Sequence, residues 1–346
     1  MLINTALIGY GLSGRVFHAP FLHTHPGFRL HTIVTSGDDA ALHYPKTRIL
    51  RHLEDALTDR DIHLVCVCTP NGLHFEQAKM ALEAGKHVIL EKPMTPTVRE
   101  AQDLASVAQK VKRHLFPFQN RRWDGDFLTV RQILSQQLLG KILDFESRFD
   151  RYNPAISRAA WRYVITTAGG TLYDLGTHLI DQALLLFGKP HAVFCRLFNQ
   201  REFSVVDDSF DLKLIYLGLN VTLKAGVFVR EKGPRFSIHG TLGSYVKYGL
   251  DPQEDELRKG KWPKGARWGC DRKADFGILN TETRGRIIRS PLETFPGNYM
   301  GFFENVHQVI TAHAEQAVKP EEALMTLKVI ERAMKSDHLQ QVVLME

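Results

Sequence analysis

Residues 1–21 read MLINTALIGYGLSGRVFHAPF, and the reading of this stretch decides the fold. Asn4–Ile8 (NTALI) is a short apolar run of the kind that forms a strand covered on both faces. It passes into Gly9, Gly11 and Gly14, spaced as G-x-G-x-x-G, and then into Arg15–His25, a helical segment with Pro20 inside it. Strand, glycine turn and helix in that order open a βαβ unit. In that setting Gly9 permits the tight turn, Gly11 lets the backbone approach a pyrophosphate, and Gly14 allows close helix–strand packing. The helix N-terminus adds free N–H groups and partial positive charge for the phosphates. Gly9, Tyr10, Gly11, Leu12, Ser13 and Gly14 are therefore expected to line a dinucleotide cofactor. A glycine-rich bend with no ligand is the competing reading, so the rest of the chain must support the first.

Strand and helix signals keep alternating downstream. Arg29–Thr35 and Ile62–Cys68 read as strands, with a weaker one at Thr47–Leu50; His87–Leu90 and His114–Phe118 follow. Between them lie helical stretches at Glu54–Thr58, Leu73–Ala84 (ended by Gly85) and Val98–Val111. Such alternation predicts a parallel sheet with helices on both faces. The pattern changes near residue 119. Helices are expected at Phe127–Gln137 and Leu172–Phe187. Leu143–Tyr152 alternates apolar and polar residues like a half-solvated antiparallel strand. Further strands are expected at Ala192–Asn199, Ser209–Leu217, Asn220–Val229, Arg235–His239 and Ser244–Lys247. Residues 251–298, rich in Gly, Pro and charge, read as a long loop, functional or partly structured. Helices at Tyr299–Ala314 and Pro320–Ser336 and a short strand at Val342–Leu344 complete the chain. The expected class is α/β, with an N-terminal Rossmann domain over 1–118 and a C-terminal α/β domain over 119–346.

A length of 346 residues suits two domains, and 44% apolar with 24% charged residues is ordinary for a soluble globular protein. The net charge of +6 is scattered, with no run of like charge that would mark a nucleic-acid partner. Some of it can serve an anionic cofactor or substrate. Cys66 and Cys68 in IHLVCVCTP share one strand face and are too close for the usual redox or zinc spacings, so they read as core. No metal site is expected. Neither a signal peptide nor an apolar run long enough to span a membrane is apparent. With the free thiols, this favours a cytoplasmic location.

In an open parallel sheet, ligands bind beyond the carboxyl ends of the strands. Two loops qualify: Thr69-Pro70-Asn71-Gly72-Leu73-His74, and Glu91-Lys92-Pro93, where Lys92 would point toward a nicotinamide. Thr69, Pro70, Asn71, His74, Glu91 and Lys92 join the expected cofactor contacts. The second strand ends Val34-Thr35-Ser36-Gly37 with no carboxylate at its tip. The hydroxyls of Thr35 and Ser36 leave room for a 2′-phosphate, which favours NADP. Asp38 folded back onto a ribose would instead favour NAD. Further on, GGTLYDLGTHLID puts Asp174, His178 and Asp181 on one helix face. Asp174 and His178, one turn apart, can converge on one ligand, and Asp181 reads as structural. Gln119–Asp124 (QNRRWD) sets polar groups beside a Trp, which suits a polyol, so Asn120, Arg122 and Trp123 are candidate substrate contacts.

GYGLSG, TPNGLH, EKP and YDLGTH, in this order and spacing, resemble the glucose–fructose oxidoreductase / inositol dehydrogenase / MocA (Gfo/Idh/MocA) family. The resemblance spans nearly the whole chain. GYGLSGRVFHAPF, QNRRWDGDFLT and GTLYDLGTHLIDQ point further to the branch containing NADP-dependent scyllo-inositol dehydrogenases. The resemblance implies a C-terminal domain built on a large, mostly antiparallel sheet, often used for oligomer contacts, hence a homodimer or tetramer. It implies Lys92, Asp174 and His178 as catalytic residues and a polyol or sugar, inositol foremost, as substrate. Hydride would pass between a secondary alcohol and NADP or NAD. Tyr152, Trp161 and Arg162 are further candidates for the substrate pocket. Related sequences often carry an Arg after the Thr-Ser at the second strand tip, where this chain has Gly37. A non-catalytic, dinucleotide-binding sugar sensor is the rival reading; in it Lys92 or His178 would be expected to be replaced, and both stand.

Overall fold

The computed structural model describes residues 1–155 and 168–345. In its first part, short apolar strands alternate with helices: β1 (Ile3–Ile8), α1 (Ala19–Thr24), β2 (Phe28–Val34), α2 (Asp39–His43), β3 (Arg48–Leu50), α3 (Leu53–Leu57), β4 (Leu64–Val67), α4 (His74–Glu83), β5 (His87–Leu90), α5 (Val98–Lys110) and β6 (Leu115–Pro117). The six strands form one sheet in the order β3-β2-β1-β4-β5-β6, every pair parallel. Every residue of β4 is buried, which explains its unbroken apolar sequence. Cys66 and Cys68 sit in this core, and burial pushes both thiols well above their ordinary range. α5 starts on a capping box in which Thr97 and Glu100 satisfy each other's backbone N–H. The strand order reverses between β1 and β4. A doubly wound sheet opens its ligand crevice at the carboxyl ends of such a pair.

The chain continues through α6 (Gly125–Ser135), β7 (Ile142–Asp150), α7 (Thr177–Phe187), β8 (Ala192–Phe198), β9 (Ser209–Tyr216), β10 (Leu219–Gly226), β11 (Phe236–Gly240), β12 (Gly243–Lys247), α8 (Gln253–Arg258), β13 (Gly277–Thr283), β14 (Arg286–Leu292), α9 (Met300–Ala312), α10 (Pro320–Leu339) and β15 (Val343–Leu344). Nine of these strands form a second sheet, ordered β14-β13-β12-β11-β7-β10-β9-β8-β15. Only β7 and β10 pair in parallel; the other neighbours are antiparallel. In β7, Phe145, Ser147 and Phe149 are buried between less buried neighbours, the period of two that its sequence shows.

Residues 251–298 are partly structured, one of the two readings their length suggested. They contain α8 and the β13–β14 hairpin, closed by the two-residue turn Arg284-Gly285 with φ of 53° and 75°. A positive φ at both positions is the type I′ geometry that matches strand twist. The hairpin is hard to see in sequence because the first six residues of β14 are exposed, so no buried face imposes an alternation.

The chain divides into two compact units, and neither is a single stretch. The first comprises 1–120, 253–268 and 298–324; the second comprises 121–252, 269–297 and 325–346. A single cut at residue 119 thus describes only the first crossing. Aromatic packing draws the later segments into the first unit. Phe303 of α9 stacks on Phe21 with ring centroids 5.1 Å apart, and Phe302 meets Phe118 edge-on at 4.9 Å. Trp262 lies against His23 and Tyr44, and the Gln253 amide oxygen accepts the Tyr299 N–H at 2.8 Å.

Candidate active site

In the first unit the glycine turn follows β1 directly. Gly9 has φ of 92°, and a Cβ there would lie 2.8 Å from the Cys68 carbonyl oxygen. A Cβ on Gly14 would meet the Gly9 oxygen at 2.1 Å. At Gly11 nothing in the chain lies within 4 Å of that position. Two glycines are thus demanded by the protein's own packing, while the third faces open space. That fits a pyrophosphate approaching the backbone at Gly11. Helical structure then runs from Leu12 to Thr24, with a π-turn over Gly14–His18. Single π-turns inside helices recur at functional sites.

This arrangement separates the roles of the glycines by experiment. Gly11→Ala should leave the thermal midpoint near wild type, as surface substitutions do, and weaken dinucleotide binding. Gly14→Ala should lower both, because the turn itself must shift. A thermal melt with a fluorescence titration of each variant checks this. Equal destabilisation by the two would contradict it.

The loops after β4 and β5 are tied together. His74, fully buried, sets Nδ1 2.8 Å from the Pro93 carbonyl and Nε2 2.9 Å from the Thr69 carbonyl. Burial lowers the His74 pKa, against the two carbonyls, which favour the protonated ring. Thr69 Oγ1 donates to Gln77 at 2.7 Å, and Asn71 is buried at the start of the 3₁₀ turn Asn71–Leu73. Glu91 is the junction. Its Oε1 accepts from Ser13 of the glycine turn and, at 2.9 Å, from His18 Nε2; its Oε2 accepts the Lys92 N–H at 3.0 Å. Burial alone would push the Glu91 carboxyl up; hydrogen bonds from His18 and Ser13, with the charges of His18 and Lys92, outweigh it and hold the pKa below the ordinary value. An ionised Glu91 therefore binds the glycine turn to the strand end that carries Lys92. Neither His18 nor the role of Ser13 in this junction was legible from local sequence. Thr35 and Ser36 follow β2, where the Thr35 N–H donates to the Leu50 carbonyl at 3.0 Å.

In the second unit, α7 is preceded by another π-turn, Leu172–Gly176, which carries Asp174. Asp207 Oδ2 accepts the Leu172 N–H at 2.7 Å at the start of this turn. Burial pushes the Asp207 pKa up to about 6, opposed by its backbone N–H partners. Asp174, His178 and Asp181 do not share one environment. Asp174 is partly exposed, and Arg151 Nη2 approaches it at 3.6 Å; His178 is buried. Asp181 is buried in a two-pronged pair with Arg122, with Nε–Oδ2 at 2.8 Å and Nη2–Oδ1 at 2.6 Å. Around this pair, Gln182 Nε2 donates to the Arg121 carbonyl at 2.8 Å, and Arg235 Nη2 donates to Gln182 Oε1 at 2.8 Å. Arg235 also lies 3.3 Å from Asp126 and stacks on Phe149.

The expected substrate contacts therefore separate. Arg122 is buried and engaged with Asp181. Asn120 is buried, and Trp123 ends the short turn Asn120–Trp123. Tyr152 is exposed, pairs with Phe228, and carries the Arg230 guanidinium 3.9 Å from its ring centre. Trp161 and Arg162 lie outside the described residues. Among the described residues no helix is long and apolar enough to cross a membrane, and no group of three metal-ligating side chains is assembled.

Comparison with known proteins matches both halves of the chain. Residues 3–118 fit the model of an oxidoreductase family with an NAD-binding Rossmann fold, and residues 131–345 fit that family's C-terminal alpha/beta domain. The chain is 39% identical to scyllo-inositol 2-dehydrogenase (NADP(+)) IolW of Bacillus subtilis, over 99% of this chain and 96% of that protein. It is 31% identical to levoglucosan dehydrogenase of Pseudarthrobacter phenanthrenivorans over 55% of this chain and 53% of that protein. Among solved structures, the oxidoreductase yvaA of Bacillus subtilis matches with a TM-score of 0.96 at 38% identity, covering 99% of this chain and 98% of that one. The levoglucosan dehydrogenase complex with NADH and levoglucosan, at 20% identity and a TM-score of 0.81, shares the fold. A glycine turn at the switch point of a doubly wound sheet, a second mostly antiparallel sheet, and matches along nearly the full length agree: the chain belongs to the Gfo/Idh/MocA oxidoreductase family.

Proposed function

We propose that this protein is an NADP-preferring dehydrogenase that interconverts a secondary alcohol of a polyol or sugar with its ketone, an inositol being the first candidate. The observation that carries the reading is the glycine turn, open at Gly11 and joined through Glu91 to the strand end bearing Lys92. Full-length similarity to a scyllo-inositol dehydrogenase supports the choice of substrate. A bound nicotinamide dinucleotide supplies the acceptor for the hydride that leaves the carbinol carbon with the C–H electron pair. The chain does the rest. His178 takes the hydroxyl proton as general base and passes it on to water. Lys92 holds the reacting oxygen and stabilises its developing negative charge. Asp174 orients the substrate or His178. Asn120, Arg122, Trp123, Tyr152, Trp161 and Arg162 are the candidate contacts to the polyol.

Reduced-nicotinamide absorbance with NADP and NAD separately, across inositol isomers and common aldoses, tests the reading. Turnover with one polyol is the expected result. Dinucleotide binding with no turnover across the panel would favour a non-catalytic sensor.

A further inference from the structure

The tip of β2 lacks a cation in sequence, but β3 delivers one. The parallel register pairs Val34 with Leu50, so the residue after β3 stands beside the residue after β2. That residue is Arg51. Its Nη1 donates to the Thr35 carbonyl at 2.9 Å and the Gly37 carbonyl at 3.1 Å, and its Nη2 donates to Asp38 Oδ1 at 2.5 Å. Two carbonyls of the turn thus hold one edge of the guanidinium. Nε and the second hydrogen of Nη2 have no hydrogen-bond partner among the described residues. Thr35 Oγ1 accepts the Gly37 N–H at 3.2 Å, which leaves its own O–H able to donate outward.

We infer that Arg51 is the residue that selects NADP over NAD, with Asp38 as a resident counter-ion that the 2′-phosphate displaces. The inference rests on the reading that this crevice takes a nicotinamide dinucleotide. In a doubly wound fold the adenosine ribose lies at the tip of the second strand, where an acidic residue serves a 2′-hydroxyl and an Arg serves a 2′-phosphate. Both residue types are present here, and the geometry ranks them. Asp38 is 89% exposed and Arg51 about half exposed, so their pair belongs to the weak surface class. A phosphate monoester carries nearly two charges and accepts from the guanidinium and the Thr35 hydroxyl together, so it competes well with one mobile carboxylate. The guanidinium meanwhile keeps its hold on the two carbonyls and needs no reordering.

Calorimetric titration of the full chain with 2′,5′-ADP and with 5′-AMP, at fixed ionic strength, reads the site without turnover. Wild type should prefer 2′,5′-ADP on the order of 10- to 100-fold, the scale of hydrogen bonds to a charged group. Arg51→Gln keeps donors for the turn carbonyls and loses the charge. It should abolish the preference and leave 5′-AMP affinity unchanged. Arg51→Lys should retain part of the preference, and Asp38→Asn should increase it by removing the competitor. Rising salt should shrink the preference in wild type but not in Arg51→Gln. An equal loss of both nucleotides in Arg51→Gln and Arg51→Lys would make Arg51 a brace for the turn and overturn the inference. Equal affinity of wild type for the two nucleotides would overturn it as well. Binding of neither nucleotide to wild type would instead overturn the dinucleotide reading on which it stands.

Discussion

Lys92→Ala is expected to lower kcat by about 10²- to 10³-fold, the loss seen when one donor to a developing oxyanion is removed. Several main-chain contacts hold the backbone around Lys92. Glu91 accepts the Lys92 main-chain N–H, His74 holds the Pro93 carbonyl, and Gly9 closes on the Cys68 carbonyl. Dinucleotide affinity should therefore stay close to wild type, which separates a catalytic role from a structural one. The matching substitution, His178→Ala, should cost about 10²- to 10⁴-fold in kcat, the span of general acid–base effects, and respond to added imidazole. Lys92→Ala with near-normal kcat, or with dinucleotide binding lost in proportion to kcat, would remove Lys92 from the chemistry. Stopped-flow turnover alongside a binding titration makes the distinction.

The second large effect is on stability. Asp181→Ala should destabilise the protein by about 3–5 kcal/mol, the usual cost of removing one member of a buried ion pair. Arg122 and Asp181 are both nearly inaccessible and meet through two hydrogen bonds. Without the carboxylate, a buried guanidinium loses its two-pronged acceptor. Charges taken out of water are stable only with close partners, so most of the expected loss is the exposed cost of that burial. Asp181→Asn, which keeps an acceptor but no charge, should fall between wild type and Asp181→Ala. Urea midpoints followed by tryptophan fluorescence rank the three. A midpoint for Asp181→Ala within error of wild type would mean that Arg122 is held adequately without it. This loss acts on α7, the element that carries His178, so kcat should be compared only where the variants remain folded.

Much of the fold was legible in the chain because local preference and global burial agree there. Ala6–Ile8, LVCV and Val88–Leu90 are continuous apolar runs because a parallel sheet covers both strand faces. LDFESRFD alternates because one face of β7 is buried and the other is less so. The hairpin of β13 and β14 was missed for the converse reason: exposed residues obey no burial pattern. The glycine turn was legible because sterics at Gly9 and Gly14 admit no other residue.

What the sequence determined by itself is most of the order of strands and helices, the glycine turn, and the side chains available for chemistry. Each follows from neighbours within a few residues along the chain. Which of those side chains are held in other contacts was decided only by tertiary structure. Nothing in QNRRWD shows that Asp181, far along the chain, holds Arg122 in a buried pair. The tip of β2 lacked a cation until the register with β3 set Arg51 against it. Charge pairing acts across a few ångströms of space regardless of separation in sequence, so those partners appear only once the sheets and helices have brought them together.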